Sequence, residues 1–243
     1  MRAFVFDVDG TLAETEDAHR RAFNAVFRDF GLDWHWDLEL NRELLAVSGA
    51  IERMSAFQQR LPDAARVDQS TLEAMQRAKR DVYREMIADG SLAPRPGVLQ
   101  LLGEARAEGI ALAIATASGR ESLAALFAGT FRQPVETLFD VVVTAEDVRT
   151  KKPDPEVYLV ALDRLGLSAP EALVFEDSPV GYRAARAAGL SVVVTPSEFG
   201  PHDADFSEAT VVPSLAPENW PRFGFHPRTA APEALRSESL DQK

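Results

Sequence analysis

Six short apolar runs constrain this chain more than any other feature: AFVFDV (3–8), IALAIAT (110–116), FDVVVT (139–144), ALVFED (172–177), LSVVVT (190–195) and ATVVP (209–213). Their apolar residues are continuous rather than alternating, which is the pattern of strands buried on both faces of a parallel sheet. Helical periodicity fills the intervals. Val98, Leu101, Leu102 and Ala105 share one helical face, and Val157, Tyr158, Ala161, Leu162 and Leu165 share another. From about residue 95 onward the chain reads strand, helix, strand, helix, which predicts an α/β core on a Rossmann-like parallel sheet with helices on both faces.

Local punctuation supports these boundaries. Asp154-Pro155 and Ser178-Pro179 each read as a helix N-cap followed by proline at the first helical position, and Gly109, Gly166 and Gly189 close helices. The helix after Ser178 carries Gly181, Ala184, Ala185 and Ala188 on one side, small enough to let it sit close to the sheet. Residues 14–92 break the alternation. They show helical periodicity and no strand, in two apolar stripes: Ala22, Phe23, Val26, Phe27 and Phe30, then Leu72, Met75, Val82, Met86 and Ile87. This predicts an inserted helical cap subdomain over 14–92 and an α/β core over 1–13 plus 93–225, with hinges at Ala13–Thr15 and in SLAPRPG (91–97). Residues 226–243 are polar and interrupted by proline, and a frayed tail is expected there.

Composition narrows the function classes. With 243 residues, 46% of them hydrophobic, the chain can form a packed interior without covalent staples. It has no cysteine, which excludes disulfides, thiolate zinc sites and cysteine nucleophiles. His19, His35, His202 and His226 are scattered without metal-ligand spacing, so any metal is expected to be held by oxygen. A formal charge of -12 argues against nucleic acid as a partner, because a phosphate backbone needs a basic face. Small phosphorylated substrates remain open, since local charge meets those. No stretch approaches the roughly 18 apolar residues of a membrane span, and the chain starts without a basic, hydrophobic leader. A cytoplasmic monomer without membrane contact is expected.

Ligands in an open α/β sheet sit beyond the carboxyl ends of the strands. Asp7 and Asp9 end the first run, Thr116 ends the second with Ser118 after it, Glu176 and Asp177 end the fourth, and Lys152 precedes the helix after Asp154. Four carboxylates, a hydroxyl and a lysine thus converge on one rim. Singly, each has an ordinary explanation: a turn for Asp-x-Asp-Gly, a helix cap for Glu-Asp-Ser, a solvated charge for the lysine. Packing does not call for all of them in this order. Unit charges about 4 Å apart interact by roughly 4 kcal/mol at an effective dielectric of 20, so such acids require cations. Mg²⁺, which takes oxygen ligands in octahedral geometry, meets that requirement.

The ordered set resembles the four motifs of the haloacid dehalogenase superfamily: Asp-x-Asp-Gly-Thr at 7–11, a strand-ending Thr116, Lys152 before proline, and Glu-Asp-Ser at 176–178. The insertion after the first strand corresponds to that family's helical cap. The resemblance implies that Asp7 is a nucleophile forming an aspartyl-phosphate, and that Asp9 protonates the leaving oxygen and later takes the proton of the attacking water. Carboxylates of Asp7 and Asp177 and the backbone carbonyl of Asp9 would hold Mg²⁺, with Glu176 as a supporting partner or further ligand. Lys152 would hold the nucleophile and a phosphate oxygen, while the Thr116 hydroxyl and the N–H groups around Ala117 and Ser118 would take another. Four acids against Mg²⁺ and Lys152 leave one negative charge, which places a proton on Asp9 before substrate enters.

Within the superfamily, ETEDAHRRAFN (14–24), DWHWD (33–37), RELL (42–45) and RAK (77–79) resemble the CbbY group, whose cap is similar to that of β-phosphoglucomutase. That resemblance implies removal of a phosphate from xylulose-1,5-bisphosphate, an inhibitor of the Calvin cycle carboxylase Rubisco. A phosphomutase, or another sugar-phosphate or phosphoglycolate phosphatase, is the alternative. Glu16, His19, Gly49, Arg53, Arg77 and Lys79 are the cap residues assigned to substrate, the last three basic ones to its distal anionic end. The cap loop departs from the group's Gly-Gly-Lys-Glu-Arg by reading Gly49-Ala50-Ile51-Glu52-Arg53, and so lacks a lysine able to meet a phosphate.

Overall fold

A computed structural model describes residues 1–201 and 204–228 of the chain. Every apolar run forms a strand, each shorter than its run: β1 (Ala3–Phe6), β2 (Ala111–Ala115), β3 (Val141–Val143), β4 (Ala172–Glu176), β5 (Ser191–Val194) and β6 (Thr210–Val211). They make one parallel sheet in the order β3-β2-β1-β4-β5-β6, a Rossmann-like arrangement in which the strand order reverses at β1. Phe6 lies opposite both Ile114 and Phe175. One residue further along, Asp7 and Glu176 therefore come level at the carboxyl edge, where the ladder on β1 ends.

Between β1 and the rest of the sheet the chain forms α1 (Glu16–Asp29), α2 (Leu38–Leu44), α3 (Ala50–Gln58) and α4 (Gln69–Ala88), with no strand. Asp37 caps α2 by accepting from the Leu40 amide at 2.8 Å, and Asp68 caps α4 by accepting from the Thr71 amide at 2.8 Å. These helices bury a core of their own, in which Phe23, Phe27, Trp34, Trp36 and Phe57 pack against Met54, Leu72 and Met75. Phe30, expected on the apolar stripe of the first helix, is 38% exposed. The helix has ended at Asp29 and the chain turns at Gly31, whose φ is +68°, so Phe30 leaves the helical face before reaching that core. The path out and the path back run side by side: Ala13 bridges Pro94 antiparallel, and the Arg95 amide donates to the Leu12 carbonyl at 2.8 Å.

The remaining helices are α5 (Val98–Ala107), α6 (Arg120–Leu126), α7 (Val135–Leu138), α8 (Glu156–Leu165) and α9 (Pro179–Ala187). Alternate residues of β1 face opposite sides of the sheet. Phe4 and Phe6 join Leu112, Ile114, Phe175 and α5 on one side, while Ala3 and Val5 join Ala113, Val174, α8 and α9 on the other. Phe6 stacks on Phe175 at 4.6 Å, and Ala184 and Ala185 of α9 are fully buried, so the small-residue side of that helix does lie on the sheet. The Ser178 hydroxyl caps α9 by accepting from the Gly181 amide at 3.1 Å. The start of α8 differs by one residue from expectation: Pro155 occupies the cap position, and Asp154 accepts from the Glu156 amide at 3.0 Å. Of the expected tail, Arg228 pairs with Glu108 at 2.7 Å, and 229–243 lie outside the described residues. No helix among the described residues is long and apolar enough to cross a membrane.

Candidate active site

Asp7 is the first residue past β1, and its amide donates to the Phe175 carbonyl at 3.0 Å. Its Oδ1 accepts from Lys152 Nζ at 2.6 Å, and the same nitrogen donates to Glu176 Oε1 at 2.7 Å. Glu176 is fully buried and both its oxygens are hydrogen-bonded: Oε1 also accepts from the Tyr158 hydroxyl at 2.6 Å, and Oε2 takes the amides of Asp177 and Ser178 and the Ser178 hydroxyl. Gly181 makes this possible, since a Cβ there would fall 1.7 Å from Glu176 Oε1. Gly10, at φ +80°, supplies the turn that carries Asp9 back over the edge of the sheet. A Cβ on Gly10 would meet Asp177 Oδ2 at 2.2 Å.

One oxygen from each of Asp7, Glu176 and Asp177 lies within 4.8 Å of the others. Three buried carboxylates face the single ammonium of Lys152, leaving a surplus equal to the charge of one divalent cation. Burial, with the neighbouring Glu176 and Asp7 charges, pushes the Asp177 carboxyl well above the usual carboxylate range. Burial does the same to Asp7, and Glu176 and Asp9 add to it against the pull of Lys152. Burial opposes the charge on Lys152, yet Asp7 and Glu176 hold its pKa above that of a free lysine. Two acids that resist ionising beside one fixed ammonium are what a hard cation would relieve. The residues present thus fit Mg²⁺ through Asp7 and Asp177, whereas Glu176 spends its oxygens on Lys152, Tyr158 and the start of α9.

Asp9 behaves in the opposite way. Burial disfavours its charge, but hydrogen bonds from His19, Ser118 and Thr15 outweigh that and hold the carboxyl well below the usual range. The Thr15 hydroxyl donates to Oδ1 at 2.6 Å, His19 Nε2 lies 3.2 Å from the same oxygen, and the Ser118 hydroxyl donates to Oδ2. Charge balance had placed a proton on Asp9. The donors Thr15, His19 and Ser118 instead favour the charged form of Asp9. Behind Asp9 stands a second link, with Lys79 Nζ 2.6 Å from His19 Nδ1. A donating Nε2–H and an accepting Nδ1 make His19 a neutral ring joining Asp9 to Lys79. Burial, then the nearby Arg53 charge, lowers Lys79 to about 7.

These residues open on one cavity of about 530 Å³ between the sheet edge and the helical segment. Asp7, Asp9, Thr116, Ala117, Ser118, Lys152 and Asp177 line it from the sheet side, and Glu16, His19, Gly49, Arg53 and Lys79 from the other. The Thr116 hydroxyl oxygen accepts from the Ser118 amide at 3.0 Å, while among the described residues the Ala117 amide donates to no acceptor. Arg53 sits 3.9 Å from Glu16 Oε2, an oxygen that is buried without a hydrogen bond.

Arg77, assigned to the distal end of the substrate, is exposed and absent from the cavity. The inward stripe of α4 runs through Leu72, Met75, Lys79, Tyr83 and Ile87. Two residues beyond Met75 is the far side of a helix. Gln76 and Arg80 occupy the cavity wall instead, together with Arg42, Lys151 and Arg183. The helical period carried the signal for Gln76 and Arg80. Arg42, in the RELL stretch, and Lys151, beside Lys152, were not assigned to substrate; Lys151 reaches Glu52 of α3 at 2.6 Å across the cavity mouth. Arg77→Ala should therefore change KM less than about twofold, whereas Arg53→Ala should raise it about tenfold or more by removing a charge-assisted contact; steady-state kinetics on one sugar phosphate checks both.

The Lys79 value sets a pH signature. The unfolded chain binds this proton up to its ordinary 10.5, but the native chain releases it near 7. The unfolded state thus carries more protons in that window, and this residue's contribution to stability rises with pH across it. Urea unfolding of Lys79→Met should lack that rise between pH 7 and 10, and an unchanged slope would show that Lys79 stays protonated.

A parallel sheet with Asp-x-Asp at the end of its first strand, a lysine on the first aspartate and an acid pair at the adjacent strand defines a hydrolase class. The haloacid dehalogenase-like hydrolase family matches residues 4–195, and the chain belongs to it. Among its relatives, protein CbbY of Rhodobacter capsulatus is 46% identical over 209 residues, covering 86% of this chain and 91% of that protein. The crystal structure of a CbbY mutant from Rhodobacter sphaeroides in complex with xylulose-1,5-bisphosphate is 38% identical and has a TM-score of 0.84, covering 89% of this chain and 96% of that one. β-Phosphoglucomutase from Clostridium difficile shares the fold at 20% identity and a TM-score of 0.74, over 89% of this chain and 92% of that one.

Proposed function

We propose that this chain is a Mg²⁺-dependent phosphatase that cleaves a small phosphorylated sugar through an aspartyl-phosphate on Asp7, with xylulose-1,5-bisphosphate as the favoured substrate. One observation carries the reading: Asp7 and Asp9, two residues apart at the floor of one cavity, are held by different partners, the first by the Lys152 ammonium and the second by His19. A carboxylate held by an ammonium attacks phosphorus as the bond to the sugar oxygen breaks. The departing oxygen takes a proton through Asp9: His19 Nε2 donates it to Asp9 while Lys79 recharges Nδ1, since Lys79 gives up its proton near neutral pH. Water then splits the acyl phosphate, and its proton returns to Asp9 and along the same chain, so the cycle closes without net proton change in these side chains.

Asp7 and Asp177, with the Asp9 backbone carbonyl, would hold Mg²⁺, which supplies charge neutralisation to the phosphoryl oxygens when bound. Lys152, Thr116 and the Ala117 amide bind and orient the transferring group. On the opposite wall, Arg42, Arg53, Lys79 and Arg80, with Lys151 at the cavity mouth, form a second basic group, which favours a substrate with an anion at each end. Lys151 offers a charge that the cap loop lacks at Ile51. Residues 14–92 act in this reading as a cap over a core of 1–13 plus 93–225, excluding water from the cavity. One chain supplies every residue of the site, as a monomer requires.

Phosphate release from sugar mono- and bisphosphates in saturating Mg²⁺ tests the proposal. A preference for xylulose-1,5-bisphosphate is expected. Equal rates across the set would overturn the specific substrate, and an isomeric sugar phosphate without free phosphate would make the chain a mutase.

A further inference from the structure

Arg95 lies outside the cavity, yet it ties the turn that follows Asp9 to the end of β5. It sits where the chain returns from the helical segment, and its side chain is 11% exposed. Nη1 donates to the Gly10 carbonyl, to the Thr195 carbonyl at 2.7 Å and to the Thr195 hydroxyl at 3.2 Å, while Nη2 donates to the Pro196 carbonyl at 2.9 Å. Its Nε faces Glu14 Oε1 at 3.0 Å. Glu14 lies where the chain leaves for the helical segment, and in turn accepts from the Ser197 hydroxyl at 2.6 Å. One planar guanidinium therefore joins three backbone stretches: the Asp9–Gly10 turn, the residues after β5, and the opposite strand of the two-way crossing.

No packing need explains this investment. Gly10 follows Asp9 directly and the chain reverses there at a positive φ, so a guanidinium bound to the Gly10 carbonyl restrains the turn that carries Asp9. Asp9 Oδ1 is also tied to Thr15, the residue after Glu14. Arg95 thus binds the Gly10 side of this short loop directly, and its partner Glu14 immediately precedes the Thr15 that holds Asp9 from the other side.

We propose that Arg95 is a positioning residue that sets the aim of Asp9 by fixing the Gly10 carbonyl to the end of β5 and to Glu14. The inference rests on the reading of Asp9 as the acid that protonates the leaving oxygen. It requires that loss of Arg95 harm substrates whose leaving oxygen needs a proton and spare those whose leaving oxygen does not.

The first-step rate, measured by rapid quench as leaving-group release in saturating Mg²⁺, separates the two. Glycerol 2-phosphate has an alkoxide leaving group, and p-nitrophenyl phosphate has one that departs without help. Arg95→Gln should slow the first by about tenfold or more and the second less than about threefold, since a general acid is worth about 100-fold to 10,000-fold and misalignment loses part of that. Arg95→Lys, whose ammonium reaches fewer acceptors, should fall between Arg95→Gln and wild type, and Glu14→Gln should show a smaller bias of the same sign. Those two variants carry the test if Arg95→Gln does not fold by circular dichroism. Equal loss on both substrates, or lower thermal stability with unchanged discrimination, would overturn the proposal. Asp9→Asn run beside them distinguishes its basis: bias in Asp9→Asn but not in the Arg95 variants sinks the positioning role alone, and no bias in Asp9→Asn sinks the acid itself.

Discussion

Asp7→Asn is expected to lower phosphate release by about four orders of magnitude or more while leaving the protein folded. The amide is the same size, keeps an oxygen for Lys152 Nζ now 2.6 Å away, and removes one of three crowded charges. It cannot attack phosphorus. The variant should consequently be no less stable than wild type to urea, because the removed charge is one that burial already disfavours. Loss of activity with retained stability is the signature of a group kept for chemistry at a structural cost. Release within tenfold of wild type would mean that another residue makes the bond to phosphorus.

Lys152→Met is expected to be the most damaging substitution for stability. The lysine is 5% exposed and holds Asp7 and Glu176 at 2.6 and 2.7 Å. Its removal leaves two buried acids without their cation, a situation that costs about 3–5 kcal/mol. Glu176 would keep its hydrogen bonds from Tyr158 and Ser178, which limits the loss on that side. The sign of the pH dependence follows from the acids. Without Lys152 the native pKa of Asp7, already raised, rises further above that of the unfolded chain, so protonation favours the native state at low pH and that advantage is lost as pH climbs through the raised value. The gap between variant and wild type in urea unfolding should thus narrow on lowering the pH toward 5 and widen toward 8. A constant gap would show that the damage comes from packing of the lysine stem against Tyr158 rather than from charge.

Much of the fold could be read from the chain because its strands are buried on both sides. A run such as ALVFE admits no alternation, and the parallel sheet is the arrangement that buries such runs between helices. The core motifs were legible for a related reason: Asp7, Thr116 and Glu176 interrupt apolar runs at their carboxyl ends, where a polar residue has no packing role. The partners of Asp9 were not legible. Thr15, His19 and Ser118 converge on this one carboxylate, and sequence separation hides that convergence. The hidden role of Glu176 is similar, because the Tyr158 hydroxyl bound to it comes from the preceding helix, α8. On the helical segment the reading was weakest. Arg77 and Lys79 are two residues apart and chemically alike, and only the buried stripe of Met75 and Tyr83 tells which one faces the cavity. Arg95 lies in a turn-rich stretch where a single arginine attracts no notice, and its partners are 85 and 100 residues away.

The most direct test is acid-quench mass spectrometry of the enzyme during turnover of xylulose-1,5-bisphosphate with Mg²⁺. The account predicts one phosphoryl group on the peptide that carries Asp7, formed and discharged at a rate consistent with steady-state phosphate release, and absent from Asp7→Asn. Phosphate release at full rate with no phosphorylated peptide, or with the group on any other residue, would contradict it.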